Sequence, residues 1–231
     1  MTLNHYFQDF LSLFFPELCA GCGTNLFRNE DVICTNCIYQ LPVTNFHKDP
    51  LNKLAKQLWG RFIFCQACSY VYFRKGSRIQ NIMHQLKYNK RPEAGVRMGK
   101  LYAYVLNSSV EWYKPDLIVP VPLHPQKLKQ RGYNQSESIS QGLASVLHIP
   151  VLSDHLTRIE NTETQTRKSR FERYENLKSA FYCKDKISLA GKHILLVDDV
   201  MTTGATLEAC AAVLLGVEGT VISIVTLAFT E

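Results

Sequence analysis

The sequence has no long hydrophobic run. Its one apolar run near the N-terminus, residues 10–15, is much shorter than the roughly 20 residues that span a bilayer, and neither a basic region nor a small-residue cleavage site flanks it. We therefore expect a cytoplasmic protein. Internal repeats and low-complexity tracts are also missing, while hydrophobic residues make up 46% and charged residues 20% of the 231 positions. This balance is that of an ordinary folded protein, long enough for one α/β domain and a small module.

Acidic residues are scarce between residues 74 and 100, where eight lysines and arginines accompany a single acid, Glu93. The whole chain carries a modest formal charge of +6. A concentrated basic stretch suits an anionic partner, but it is also common on a solvated helix face. The sequence leaves both interpretations open.

A disulfide scaffold is not indicated, although the chain has eight cysteines. Four of them form two Cys-x-x-Cys pairs, separated by eleven residues. This spacing is close to that of a zinc ribbon, in which two tight turns direct four thiolates at one tetrahedral ion. We predict a Zn²⁺ site with the ligands Cys19, Cys22, Cys34 and Cys37. Because protein side chains fill all four positions, its role is structural or in recognition rather than catalytic.

The other four cysteines are interpreted as packing residues. Cys65 and Cys68 lie in an apolar stretch that favours a strand, on which positions three apart face opposite sides. Ordinary buried or half-buried thiols are therefore favoured there over an incomplete second metal site or a redox pair. Cys183 and Cys210 are isolated, and Cys210 lies on a small-residue face of a predicted helix.

Helical and strand-like patterns alternate along the chain. Apolar residues at helical spacing predict a helix at 3–15, and residues 41–59 are interpreted as a connector. Strands are predicted at 68–73, 117–121, 194–197 and 221–228, and further helices at 79–88, 96–106, 135–147 and 206–215. This alternation predicts an α/β fold, a parallel sheet flanked by helices with right-handed crossovers. We divide the chain into an N-terminal helix, zinc ribbon and connector at 1–60 and an α/β domain at 61–231.

Residues 194–206 carry the clearest chemical signal. A buried strand, Ile-Leu-Leu-Val, ends in Asp198 and Asp199 and continues into a turn of small and hydroxyl-bearing residues before a helix begins. Ligands of open α/β sheets bind at the carboxyl ends of the strands, where this turn is expected. Its backbone N–H groups and the positive end of the helix form a site for a phosphate dianion. Threonine hydroxyls can add donors, and Gly204 permits close backbone approach.

Two carboxylates beside an anion site need other partners, since they repel a bare phosphate. Ribose hydroxyls and Mg²⁺ meet that need, because carboxylates accept hydrogen bonds from hydroxyls and ligate hard cations. The pattern of apolar residues, Asp-Asp and Thr-Thr-Gly-Ala-Thr resembles the signature with which type I phosphoribosyltransferases bind 5-phosphoribosyl-1-pyrophosphate (PRPP). With its cysteine module, the whole chain resembles the ComF family of competence-associated proteins. This resemblance implies that Asp198 and Asp199 hold the ribose and that the 5-phosphate is bound by Thr202, Thr203, Gly204, Ala205 and Thr206.

Two other classes with a similar strand are excluded. A receiver domain also begins with an apolar strand and paired acids, but the stretch after Asp199 is too short for that fold. A Walker B strand requires a Walker A loop, and the chain has no G-x-x-x-x-G-K-[ST] motif.

A second candidate loop follows the predicted strand at 117–121. The lysine and arginine side chains of this loop suit the negative charge of pyrophosphate. The resemblance implies that the loop binds pyrophosphate and that it includes Lys127, Arg131 and Gly132. The run Arg-Gly-Tyr-Asn-Gln at 131–135 resembles a motif specific to ComF proteins. A basic, solvated turn before a helix is the alternative.

Residues 162–178 are polar and lack an apolar stripe. The resemblance implies a flexible loop that closes over bound PRPP and expels water. Its cations are Arg167, Lys168, Arg170 and Arg173.

These features predict a PRPP-binding protein that transfers phosphoribose with the help of Mg²⁺ and is linked to DNA uptake, with Asp198 and Asp199 as candidate catalytic residues. The acceptor stays open, because no acceptor pocket can be identified in the sequence. The alternative is a non-catalytic competence protein that binds single-stranded DNA and uses the fold as a PRPP sensor or structural platform. The expected partners are PRPP, single-stranded DNA and other competence proteins, and we expect a monomer or a weak dimer.

Overall fold

The computed structural model describes residues 15–110, 112–159 and 180–230. Two sequence predictions therefore lie outside the described residues. These are the N-terminal helix, apart from its last residue, and the flexible loop with Arg167, Lys168, Arg170 and Arg173. Within the described segments, no helix combines the length and the hydropathy of a membrane span.

A parallel sheet forms the centre of the fold. The strands of the described residues are, in chain order, β1 (Ala67–Tyr72), β2 (Leu117–Pro120), β3 (Leu156–Arg158), β4 (Phe181–Cys183), β5 (His193–Met201) and β6 (Val221–Phe229). Four of them form the parallel sheet, in the order β1-β6-β5-β2. Its two inner strands are apolar, and residues such as Leu195 and Leu196 are fully buried because helices cover the sheet. A separate antiparallel pair joins β3 to β4.

Helices alternate with these strands, and the predicted α/β fold is confirmed. Pro92 begins one helix, as expected of a residue without a backbone N–H, and the side chain of Asn134 caps another. The α-helices of the described residues are α1 (Thr35–Tyr39), α2 (Lys53–Leu58), α3 (Arg78–Tyr88), α4 (Pro92–Asn107), α5 (Pro125–Arg131), α6 (Gln135–Leu147) and α7 (Ala205–Leu215).

Helices α4 and α6 pack with their backbones in close approach. A Cβ atom at Gly99 would lie 2.3 Å from the carbonyl oxygen of Ile139, and one at Gly142 would lie 2.2 Å from that of Val96. The two glycines therefore fix the distance between the helices. This packing matters for the site, because the first turn of α6 reaches the end of β5.

One strand boundary differs from the sequence prediction. The apolar run at 194–197 is only the first part of β5, which continues to Met201. Asp198 pairs with Thr226 of β6, so both acids lie within the strand rather than after it. The pairing extends this far because β6 runs alongside β5 over its whole length.

Candidate functional site

The four cysteines of the predicted zinc ribbon lie together in space. Their sulfur atoms are all within 4.8 Å of one another. The Sγ atoms of Cys19 and Cys37 are 3.7 Å apart, as are those of Cys22 and Cys34. Four thiolates at about 2.3 Å from a tetrahedral zinc ion are separated by about 3.7 to 3.8 Å, so the cluster fits the geometry of that ion.

Polar groups around this cluster suit thiolate ligands. The backbone N–H groups of Gly21 and Cys34 donate to Cys19 Sγ at 3.3 and 3.2 Å. The hydroxyl group of Thr24 lies 3.0 Å from Cys22 Sγ and lowers the pKa of that thiol to about 6. A Cβ atom at Gly21 would lie 2.9 Å from the Sγ atom of Cys37, so the first knuckle requires glycine there.

The cysteine module packs against α3. The side-chain amide of Asn81 donates to the carbonyl oxygen of Gly21 at 2.8 Å, and Arg78 lies 3.6 Å from Cys37 Sγ. Arg91 donates to a backbone carbonyl just before the first cysteine at 3.0 Å. Part of the basic stretch at 74–100 therefore contacts the cysteine module, while Lys90 is exposed.

Asp198 and Asp199, near the carboxyl end of β5, have different partners. The hydroxyl group of Ser136, at the start of α6, donates to Asp198 Oδ1 at 3.0 Å. The backbone N–H of Asp199 donates to the same oxygen at 2.8 Å. Asp199 forms an ion pair with Lys87 of α3, at 2.8 Å between Nζ and Oδ2. Two helices and one strand thus meet at this acidic pair.

Burial and the neighbouring charge of Asp199 raise the pKa of Asp198 to about 7. Its two hydrogen bonds and the charge of Lys87 act in the opposite direction, because they favour the ionised carboxylate. The acidic pair consequently changes its charge near neutral pH. A bound cation or hydrogen-bond donor can then shift the protonation equilibrium of Asp198 toward the carboxylate.

The turn between β5 and α7, residues 202–204, begins three positions after Asp199. Thr202 and Thr203 are exposed, and Ala205 begins α7. Gly204 adopts a left-handed conformation with φ +75°, which favours glycine. A Cβ atom there would lie 2.7 Å from Leu58, so contact with the connector is a further reason for glycine at this position.

The predicted pyrophosphate residues lie on a helix, where the sequence was interpreted as a loop. Lys127 is exposed on α5, and Gly132 ends this helix with φ +83°. Arg131 donates to Gln135 Oε1 at 2.6 Å and lies over the ring of Tyr88, with 5.6 Å from its Cζ to the ring centroid.

The rest of the Arg-Gly-Tyr-Asn-Gln run links three elements around the acids. The hydroxyl group of Tyr133 donates to the carbonyl oxygen of Leu86 in α3. The Asn134 side chain donates to the carbonyl oxygen of Val121 at 2.9 Å and accepts from the N–H of Ser136 at 3.1 Å. This run therefore holds the first turn of α6, and with it the donor to Asp198, against α3 and the end of β2.

A cavity of about 400 Å³ borders Asp199 and Thr202. Its walls include the aromatic and apolar side chains of Phe73, Met83 and Tyr88, and it also has polar lining residues, Gln80, His84 and Thr230. Sequence reasoning missed this cavity, because its lining comes from α3 and from the residues after β1 and β6. The volume is that of a small-molecule site.

The remaining cysteines lie apart from the cluster. Cys68 is buried and accepts a hydrogen bond from the Tyr102 hydroxyl at 2.9 Å, whereas Cys65 is exposed. The prediction of a buried or half-buried thiol is correct for Cys68 and wrong for Cys65, which lies before β1 and is exposed. Cys210 is fully buried in α7.

Residues 84–230 match the family model described as the phosphoribosyl transferase domain. The chain is 32% identical over 202 residues to the DNA utilization protein YhgH of Escherichia coli (strain K12), a match that covers 86% of this chain and 84% of that protein. It is 42% identical over 107 residues to competence protein F of Haemophilus influenzae, covering 45% of this chain and 47% of the relative.

Solved structures with a related arrangement are more distant. Adenine phosphoribosyltransferase from Thermoanaerobacter pseudethanolicus shows 18% identity and a TM-score of 0.40, with 66% of this chain and 75% of that chain covered. Glutamine PRPP amidotransferase from Bacillus subtilis shows 17% identity and a TM-score of 0.42, with 61% and 30% covered.

Proposed function

Since the chain belongs to the phosphoribosyl transferase domain family, and within it to the competence-associated group that includes YhgH and competence protein F, we propose that it binds PRPP and transfers its phosphoribosyl group to an acceptor. The observation that carries this proposal is the acidic pair of β5, followed after two residues by the turn at 202–204 and then by the N-terminus of α7. A phosphorylated sugar has hydroxyl groups that can donate to the two acids and a phosphate group that can bind at the turn and the helix N-terminus.

The turn supplies the phosphate subsite in this proposal. Backbone N–H groups from Thr203 to Thr206 and the helix N-terminus bind the 5-phosphate, and the exposed hydroxyls of Thr202 and Thr203 add donors. Asp198 and Asp199 accept hydrogen bonds from the ribose hydroxyls. Mg²⁺ is suited to the same carboxylates and, when bound, supplies positive charge to the pyrophosphate.

Lys87 has a specific place in this scheme. Its ion pair with Asp199 neutralises the charge of that carboxylate. On binding of the sugar, Asp199 would exchange this partner for the ribose hydroxyls, and the same carboxylate would be suited to hold Mg²⁺. Lys87 is then available to the leaving pyrophosphate, together with the proposed contributions of Lys127, Arg131, Gly132 and the cations at 167–173.

The 400 Å³ cavity beside Asp199 is proposed as the acceptor pocket, because it provides an apolar, aromatic wall. Lys87 and Tyr88 also line this cavity, and Arg131 lies over the Tyr88 ring. Two of the cations proposed for the pyrophosphate, Lys87 and Arg131, therefore lie at the border of the proposed acceptor pocket.

The cysteine cluster is proposed to hold one structural Zn²⁺ through Cys19, Cys22, Cys34 and Cys37. Thiolate ligation is maintained in a reducing compartment, which agrees with a cytoplasmic location. A second candidate function, favoured by the names of the relatives and by exposed cations such as Lys75 and Lys90, is binding of single-stranded DNA.

Calorimetric titration with PRPP tests the proposed site. Wild-type protein should bind PRPP with an affinity that Mg²⁺ increases, and Asp199→Asn should weaken binding in Mg²⁺ by roughly tenfold or more because one hydrogen-bonded carboxylate is lost. Glu218→Gln is the matched control, since Glu218 is exposed at the opposite end of the sheet and its substitution should leave binding unchanged.

Turnover is measured separately, as pyrophosphate release from PRPP with a panel of nucleobases. Saturable PRPP binding without release for any acceptor would reject the enzyme and favour a sensor. Absence of PRPP binding by the wild type would reject the site itself. Tight, salt-dependent binding of single-stranded DNA in that case would support the second candidate.

A further inference from the structure

Residues 41–61, the predicted connector at 41–59 together with the two residues that follow it, contact the turn at 202–204 directly; this whole segment is called the connector below. The side-chain amide of Gln57 donates to the carbonyl oxygen of Thr202 at 2.7 Å. Arg61 donates through Nη1 to the carbonyl oxygen of Thr203 at 2.5 Å. Both donors come from a segment that precedes the matched domain at 84–230.

These contacts fix the direction of the neighbouring N–H groups. A trans peptide is planar, and its carbonyl and N–H groups point in opposite directions. When the carbonyls of Thr202 and Thr203 face the connector, the N–H groups of Thr203 and Gly204 must face away from it. The two side-chain donors of the connector therefore orient two backbone N–H groups toward the opposite side of the turn.

The connector is itself held firmly in the fold. Leu54 and Leu58 of α2 are fully buried, and the Asn52 side chain caps α2 by accepting the N–H of Ala55 at 3.0 Å. The Asn52 amide also donates to the carbonyl oxygen of Ala67 in β1 at 2.8 Å. The turn is therefore tied, through α2, to the edge of the sheet.

Arg61 is oriented by a second partner, Glu208 in the first turn of α7. Its Nε and Nη2 atoms lie 2.8 and 2.6 Å from Glu208 Oε2. The guanidinium group thus bridges the turn and the helix that follows it. Its Nη1 atom would lie 3.0 Å from a Cβ atom at Gly204, so the bridge passes directly over the glycine.

We propose that Gln57 and Arg61 are positioning residues of the 5-phosphate subsite, which is completed by the connector and not by the matched domain alone. This inference rests on the proposed function, because it assigns the phosphate of PRPP to the turn. The connector keeps two N–H groups aimed into the cleft before the ligand arrives, which removes the cost of ordering the turn on binding.

The test compares three ligands on Arg61→Ala, Arg61→Lys and Gln57→Ala: PRPP, ribose 5-phosphate and inorganic pyrophosphate. Arg61→Ala should weaken PRPP and ribose 5-phosphate by roughly tenfold to a hundredfold, the range for loss of charged hydrogen bonds. Pyrophosphate, which lacks the 5-phosphate group, should keep its affinity within about twofold. Arg61→Lys, which keeps the charge but offers fewer fixed donors, should fall between the wild type and Arg61→Ala.

Lys56→Ala is the matched control, because Lys56 is an exposed cation of α2, the helix that carries Gln57. It should leave all three affinities unchanged. In the ligand-free protein, backbone ¹⁵N order parameters at 203–204 should fall in Arg61→Ala from about 0.85 to below about 0.6. This measurement reports on the turn even if the alanine variant is less stable overall.

An unchanged affinity of Arg61→Ala for ribose 5-phosphate would overturn the proposal. So would an equal loss for all three ligands, since that result indicates general destabilisation. If the wild-type protein binds neither PRPP nor ribose 5-phosphate, the proposed function itself fails, and this outcome is distinct because it needs no variant.

Discussion

The carboxyl group of Asp198 lies partly buried beside the carboxylate of Asp199, and both conditions disfavour its charged form. The Ser136 hydroxyl and the Asp199 N–H offset only part of this effect. With a pKa of about 7, this side chain is partly protonated at neutral pH in the ligand-free protein. Binding of a cation or of sugar hydroxyls would therefore favour the ionised form of a carboxyl group that is otherwise partly protonated.

The stability of the protein should carry a signature of this pKa. A carboxyl group whose pKa is higher in the folded than in the unfolded protein contributes stability that is fully present below about pH 4 and is lost as the pH rises through about 7. Asp198→Asn should remove this decline, an effect of up to a few kcal/mol in the free energy of unfolding.

Urea unfolding of both proteins between pH 4 and 8 measures the effect. If the free energy of unfolding has the same pH dependence in the wild type and in Asp198→Asn over this range, the result contradicts the assigned pKa. Asp116→Asn is a suitable comparison, because this carboxylate lies near the start of β5, where it accepts the N–H of His193.

At the scale of elements, the close contact of α4 with α6 places the first turn of α6 beside Asp198. Gly142→Ala should lower the free energy of unfolding by about 2 to 3 kcal/mol, because the added Cβ overlaps the backbone of α4 at Val96. Gly216→Ala is the control, since φ there is −71° and the nearest atom to the new Cβ is 3.3 Å away.

The measurement is chemical denaturation, with PRPP titration as a second readout. Gly142→Ala should also weaken PRPP binding, because Ser136 moves with α6. Equal stabilities of the two alanine variants would show that the helices can separate without cost.

The elements themselves were largely predictable from the sequence. Periodicity predicted the four strands of the parallel sheet and α3, α4, α6 and α7, because this signal is local. The end of β5 was placed too early, since its last residues are polar and their strand conformation depends on pairing with β6. The helix α5 was interpreted as a loop for a similar reason: none of its residues is fully buried, so it lacks an apolar stripe.

At the scale of the whole molecule, the cysteine module and the site are connected through α3. One end of α3 contacts the module through Arg78 and Asn81, and the other end carries Lys87, the partner of Asp199. The module therefore supports the helix that also lines the 400 Å³ cavity. A structural ion in the module would stabilise this arrangement without contacting the substrate.

Removal of one ligand tests this connection. Wild-type protein should contain about one zinc ion per chain, and Cys37→Ser should contain almost none, since three thiolates hold the ion far less tightly. Hydrogen exchange should then increase at 18–39 and in α3, while α7 stays protected. Cys65→Ser, which changes an exposed cysteine outside the cluster, should retain its zinc. Full zinc content in Cys37→Ser, with unchanged exchange, would contradict the assignment.

The sequence by itself determined the fold class, the four-cysteine cluster and the contiguous segment of acids, turn and helix, because each depends on residues close together in the chain. Only the tertiary structure decided what surrounds that segment. Lys87, Ser136 and Arg61 reach it from three separate elements, and no local pattern marks them. Long-range contacts of this kind depend on how the helices pack on the sheet, and that packing is set by the whole core rather than by any single motif.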